Sequence, residues 1–267
     1  MQNKNQKVKE VHKPLLTGSW HGKDAWKRGI KYMLSVLLVS LIYLLSSMIM
    51  GFDSLAGRII AAIVVVFALG YYQYAQGVTQ GEKDAAFGET MYIRQQDGKT
   101  VVEEDRERCF HPAKGFFIAA LGALPFVIFA AVFACITSET FYELGILPGW
   151  TENLLMQNEF GDALAYYGNR TGLQAMDILR VIDRAMVMPF ASIGAYLGNH
   201  AALVVERLSP LLVLLVPACF GIGYTQGINA RVRVNTAIKL GVDKKKRKER
   251  KARKQRQQQR KQPEQLI

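Results

Sequence analysis

Four stretches of this chain, 32–50, 59–81, 115–138 and 208–230, run for nineteen to twenty-four residues without a charge. A helix rises ~1.5 Å per residue, so about 20 residues cross the ~30 Å of hydrocarbon in a bilayer. A soluble fold of this length would interrupt its apolar runs with periodic polar positions. The blocks therefore predict an all-α polytopic membrane protein, with four transmembrane helices arranged as two hairpins.

Charge decides the threading. Twelve of the eighteen residues in 244–261 are Lys or Arg and only Glu249 is acidic, so this segment carries +11 of a formal net charge of +12. Basic loops stay on the cytoplasmic side of a membrane. The chain then divides into a polar and basic cytoplasmic N-terminus (1–31), a first transmembrane hairpin (32–81) and a cytoplasmic loop (82–114). A third transmembrane helix (115–138), an external helical insert (139–207), a fourth transmembrane helix (208–230) and a cytoplasmic basic tail (231–267) follow. The insert holds eight acids, four Arg and no Lys, as an external segment should. The polar N-terminus is too long for a signal peptide and no small-residue cleavage site follows the first block, so that block is read as an uncleaved span. The expected location is the plasma membrane, a bacterial one, with both termini cytoplasmic.

A fifth uncharged stretch, 185–205, tests this scheme. If it crossed, parity would place the basic tail outside, against the strongest signal in the chain. Its Pro189, Gly194, Gly198, Asn199 and His200 also suit a re-entrant or interfacial segment. Just before it, Leu173, Met176, Leu179, Ile182 and Met186 recur at helical spacing, with Asp177, Arg180 and Arg184 on the other side. That pattern predicts an amphipathic helix lying flat or packing on the rest of the insert.

Two segments outside the spans have their own texture. Alternation around Asp97-Gly98 predicts a small cytoplasmic β-hairpin, because Asp-Gly accepts the positive φ of a tight turn. Arg231-Val232-Arg233-Val234 would supply a third strand, although the Ala and Lys that follow favour a helix. The end of the tail, rich in Gln and without apolar residues, is expected to be disordered until bound.

Small residues at four-residue spacing, Gly115, Ala119 and Ala123 in one row and Gly223 and Gly227 in another, predict close helix packing. Pro125 and Pro217 lie inside the third and fourth blocks and are expected to kink them. Tyr74-Ala75-Gln76-Gly77-Val78 and Tyr224-Thr225-Gln226-Gly227-Ile228 form a weak repeat at the ends of spans two and four. It reads either as duplication or as two similar interfacial helix ends.

Chemistry is sparse. The spans contain no Asp, Glu, Lys, Arg or His, which argues against a proton-coupled pump. Cys109-Phe110-His111 offers two ligands where a structural zinc needs four, so no metal and no cofactor are assigned. Ser192 and His200 lack a nucleophile elbow, no phosphate-binding loop occurs, and no catalytic residue is assigned. Asn169-Arg170-Thr171 matches a glycosylation triplet.

The residues best placed to bind something are Lys244, Lys245, Lys246, Arg247, Lys248, Arg250, Lys251, Arg253, Lys254 and Arg256. They suit anionic lipid headgroups, and less well a ribosome or nucleic acid, since no aromatic is present to stack on bases. The chain is expected to be an interaction protein or accessory subunit, with a membrane-protein partner or a second copy of itself. The alternatives are a small transporter or channel subunit, with a water-accessible cavity near Pro125 and Pro217, and a membrane-biogenesis factor whose tail touches the ribosome.

Overall fold

The computed structural model describes residues 10–46, 52, 54–138 and 175–261. Among these residues the backbone is helical wherever it is regular, and no strand forms. The helices are α1 (Lys23–Ser46), α2 (Leu55–Gln96), α3 (Glu103–Arg108), α4 (Lys114–Ile136), α5 (Ala175–Met186), α6 (Met188–Leu197), α7 (Asn199–Thr225) and α8 (Gly227–Lys261). Four of them, α1, α2, α4 and α7, are long and apolar enough to cross a membrane. The chain separates into two compact units. One gathers Met1–Ala25, Tyr74–Phe117 and Phe220–Ile267, and the other Trp26–Gln73 and Ile118–Cys219, as far as these are described. The first part of the expected insert, with Asn169 and Leu173, lies outside the described residues.

The expected β-hairpin is replaced by helix. α2 runs on through Tyr92 to Gln96, and the Asp-Gly pair ends it. Gly98 has φ +74°. The Gly98 amide donates to the Gln95 carbonyl at 3.2 Å and the Lys99 amide to the Arg94 carbonyl at 3.1 Å. These two bonds are those of a Schellman cap, with glycine at the left-handed position. The dipeptide does supply positive φ, but at a helix end. Arg231 to Val234 are likewise helical, within α8.

The backbone of the tail is helical through Lys261. Lys, Arg and Gln are good helix formers, and no Gly or Pro falls between Gly241 and Pro263 to stop propagation. The fourth apolar block is framed differently. α7 begins at Asn199 and closes at Thr225, and a single non-helical residue, Gln226, leads into α8. Pro125 lies inside α4, and Pro217 and Pro210 lie inside α7. At each, one backbone hydrogen bond of the helix is missing.

The stretch 185–205 is not one helix. α5 stops at Met186, α6 covers ten residues, and Gly198 at φ +108° separates α6 from α7. Ten residues span about 15 Å, half the hydrocarbon thickness. The corner between α5 and α6 is nevertheless set among the long apolar helices. Met186 and Val187 share a buried cluster with Ala130 of α4 and Val213 of α7. Met188 packs on Val39 and Tyr43 of α1, Leu69 of α2 and Val216 of α7. α6 then leads to Arg58 near the start of α2, whose guanidinium donates to the Ser192 carbonyl at 3.1 Å and sits 5.0 Å from the Tyr196 ring centroid. Leu69 is eleven residues, about 16 Å, further along α2 than Arg58.

α5 is amphipathic as expected, and Met186 is buried at its end. Arg180 and Asp183 are buried, whereas Ile178, Val181 and Ile182 are 51, 60 and 45% exposed. The periodicity identifies two faces. It does not say which of them faces outward.

Candidate functional site

Helix ends near the polar segments bring together one charged cluster. Lys114, the first residue of α4, is fully buried. Its Nζ donates to Asp24 Oδ2 at 3.0 Å and to the Glu107 carbonyl at 2.9 Å, and lies 3.4 Å from Asp84 Oδ2. Asp84 in turn accepts from the Tyr224 hydroxyl at 2.6 Å and from Gln80 Nε2 at 3.2 Å. The Tyr224 ring stacks on Phe110, with centroids 5.2 Å apart. A buried lysine costs several kcal/mol in desolvation unless countercharges and hydrogen bonds surround it. Here two carboxylates and a carbonyl do so.

The same unit contains the helix seam that the small residues predicted. A Cβ placed on Gly223 would strike the Tyr74 carbonyl, one on Gly77 the Phe220 carbonyl, and one on Gly81 the Tyr224 carbonyl. Gly227 meets Gly81, and Gly115 lies against the Tyr224 side chain. Ala119 and Ala123, further along the row of α4 and in the other unit, are buried. Thus Gly77-x-x-x-Gly81 of α2 faces Gly223-x-x-x-Gly227, and the two copies of the weak repeat pack on each other. The shared glycines are explained by backbone approach. Contacts advance together along both chains, so the helices run parallel. The pairing continues into polar residues. Arg231 of α8 donates twice to Glu89 Oε2, each at 3.0 Å, and once to Glu82 Oε1 at 3.4 Å. Asn235 donates to Glu89 Oε1 at 2.6 Å.

A second charged cluster lies in the other unit. Glu206 of α7 is buried between two arginines of α5. Arg180 Nε is 3.1 Å from Oε1, and Arg184 Nη2 is 2.7 Å from it. Thr137 donates its hydroxyl to Glu206 Oε2 at 2.7 Å, and Arg180 also donates to the Ser138 carbonyl at 2.9 Å. Asp183, one turn along α5 from Arg180, is fully buried, and neither of its oxygens makes a hydrogen bond. Burial pushes its carboxyl up to about 6 from the usual 3.8. Glu206 adds to the shift, and Ser209 and Arg184 offset part of it.

Of these residues the sequence singles out Arg180 and Arg184, on the polar side of an amphipathic helix, and Tyr224, in the weak repeat, and it names a partner for none of them. Lys114 reads as the border of a span, and Asp24, Asp84 and Glu206 as loop acids. The partners Lys114 and Asp24 are 90 residues apart, and Tyr224 and Asp84 are 140 apart. The one available signal was the Tyr-x-Gln-Gly repeat, which marks the helices that bring them together.

The tail residues behave more simply. Lys245, Lys246, Lys248, Arg250, Lys251 and Arg253 are exposed on α8. The backbones of Lys244, Arg247, Lys254 and Arg256 lie in the same helix. Preceding them, Val234, Ile238 and Val242 are 38, 56 and 46% exposed and recur every fourth residue, forming one stripe. Cys109 is buried, donates its thiol toward the Asp105 carbonyl, and is pushed up to about 11 by burial. His111 Nδ1 accepts from the Ala113 amide. Near Pro217, a cavity of about 10 Å³ lined by Tyr32, Gln73 and Val216 has room for about one water. No family model, curated protein or solved structure matches the chain.

Proposed function

We propose that this chain is a membrane-embedded interaction protein whose basic C-terminal helix lies against anionic lipid headgroups on the cytoplasmic face. The observation that carries this reading is the composition of α8 as a helix. An exposed apolar stripe, Val234, Ile238 and Val242, leads directly into the cations of 244–261. An apolar stripe followed by dense positive charge is the pattern of a helix resting at a bilayer interface. Each cation near an anionic leaflet contributes about 1 kcal/mol before screening. A tail acting only on phosphates in solution has no use for the stripe.

In the same reading both termini are cytoplasmic, and α5 and α6 form a re-entrant pair that enters from the outer side without crossing. Three features support this. α6 is too short to span, its corner with α5 packs on apolar residues of all four long helices, and the outward face of α5 is apolar.

The test places a fluorescent label at Ala252→Cys, with the native cysteines replaced, in full-length protein reconstituted into nanodiscs. A headgroup-attached quencher is expected to quench it in phosphatidylserine-containing discs, and to do so less in phosphatidylcholine alone. High salt, or Ser at 234, 238 and 242, should weaken the effect. Equal quenching in both lipids, or none in either, sinks the proposal. Salt-sensitive co-sedimentation with ribosomes that vanishes without 244–261 would reassign the tail to a phosphate-rich particle.

A further inference from the structure

The carboxylate of Asp183 is the least satisfied charged group among the described residues. Its oxygens are buried without hydrogen bonds, and Ser209 Oγ on α7 is buried in the same condition. Ser209 lies close enough to favour the ionised carboxyl, although no well-formed hydrogen bond joins the two. One turn beyond Asp183, Met186 and Val187 sit in an apolar cluster with Ala130 and Val213, with Phe126 and Leu212 packed around it. Water is therefore a poor partner on that side.

The charged groups facing it are Glu206 on α7 and Arg180 and Arg184 on α5. Both arginines are directed to Glu206, and Arg180 also reaches Thr137 and Ser138. No cation is left to Asp183 as its own. Among the described residues no group of three or more His, Cys, Asp and Glu could hold a metal ion. A proton neutralises a buried carboxylate that has no cation of its own, and it needs no added space.

We propose that Asp183 is a proton-binding site buried between α5 and α7, which loads and unloads as the pH changes. Burial supports this, since the carboxyl is raised to about 6. The folded protein binds this proton more tightly than the unfolded chain, whose value is 3.8. The stabilisation is thus complete below 3.8 and is lost as the pH rises through about 6. The uncharged blocks themselves hold no carboxylate. Here the carboxylate is supplied by a helix that does not span.

Full-length protein in nanodiscs is followed by infrared difference spectroscopy and thermal unfolding from about pH 4 to 8. The carboxylic C=O band is expected at acid pH, to fade through about 6, and to be missing in Asp183→Asn. The melting temperature should fall over the same window in the native chain and stay level in Asp183→Asn. Ser209→Ala removes an offsetting group and should move the loss of the band to higher pH. If the Asn variant does not fold, this shift alone decides. A native spectrum without a titrating band, or a band that persists in Asp183→Asn, would falsify the site. Stabilisation near neutral pH by sodium but not choline, absent from the Asn variant, would overturn the proton in favour of a metal cation. None of these readouts involves the tail, so removing 244–261 should leave them unchanged.

Discussion

Lys114 shows how much of this protein is held by single polar contacts in dry surroundings. Replacing it with Met keeps most of the volume but leaves Asp24 and Asp84 without their ammonium. Removing one partner of a buried ion pair costs about 3–5 kcal/mol. Lys114→Met should lower unfolding stability in detergent by that order, and adding Asp84→Asn should recover part of the loss. A double change as harmful as the sum of the two single changes would mean the pair is not coupled. None of this was legible from the sequence. Lys114, Asp84 and Tyr224 each have an ordinary local explanation: span border, polar loop, interfacial aromatic. What distinguishes them is a meeting across 140 residues, and local patterns do not encode such distances.

At the scale of elements, the sequence was most informative where the physics is local. Four uncharged blocks correspond to the four helices long enough to span. The small-residue row at Gly223 and Gly227 found its partner in Gly77 and Gly81. The β-hairpin was misread because Asp97-Gly98 specifies positive φ without specifying which element it ends, while the period of α5 fixes two faces without saying which is buried. The seam invites a direct test. Gly77→Val places a branched side chain against the Phe220 carbonyl, where neither backbone can yield cheaply. Overpacking of this kind costs about 1–3 kcal/mol or more. Gly241→Val meets nothing within 4 Å and serves as the control, losing little beyond helix propensity. Equal melting temperatures for the two variants would show that the close approach is not needed.

For the whole molecule, length and charge act together. α2 holds 42 residues, about 63 Å of helix, roughly twice the hydrocarbon thickness, so a large part of it belongs outside any bilayer it crosses. The described cations of 245–253 are exposed, so they add little to folding, and under the proposed threading their effect falls on orientation. Deleting 244–261 should leave the melting temperature nearly unchanged while reducing the fraction of molecules with a cytoplasmic C-terminus, read by a reporter fused after the last residue. An external reporter on the undeleted chain would mean that the segment 185–205 crosses after all. The glycine seam, finally, has a consequence in time. Its two sides are about 140 residues apart, and ribosomes add ~5–20 residues per second. The α2 side must therefore wait roughly 7 to 28 seconds after synthesis, its glycines and acids bare, before its partner exists. Any chaperone or quality-control protease that surveys this chain meets that unfinished surface first, and a nascent protein stalled before α7 should be its preferred substrate.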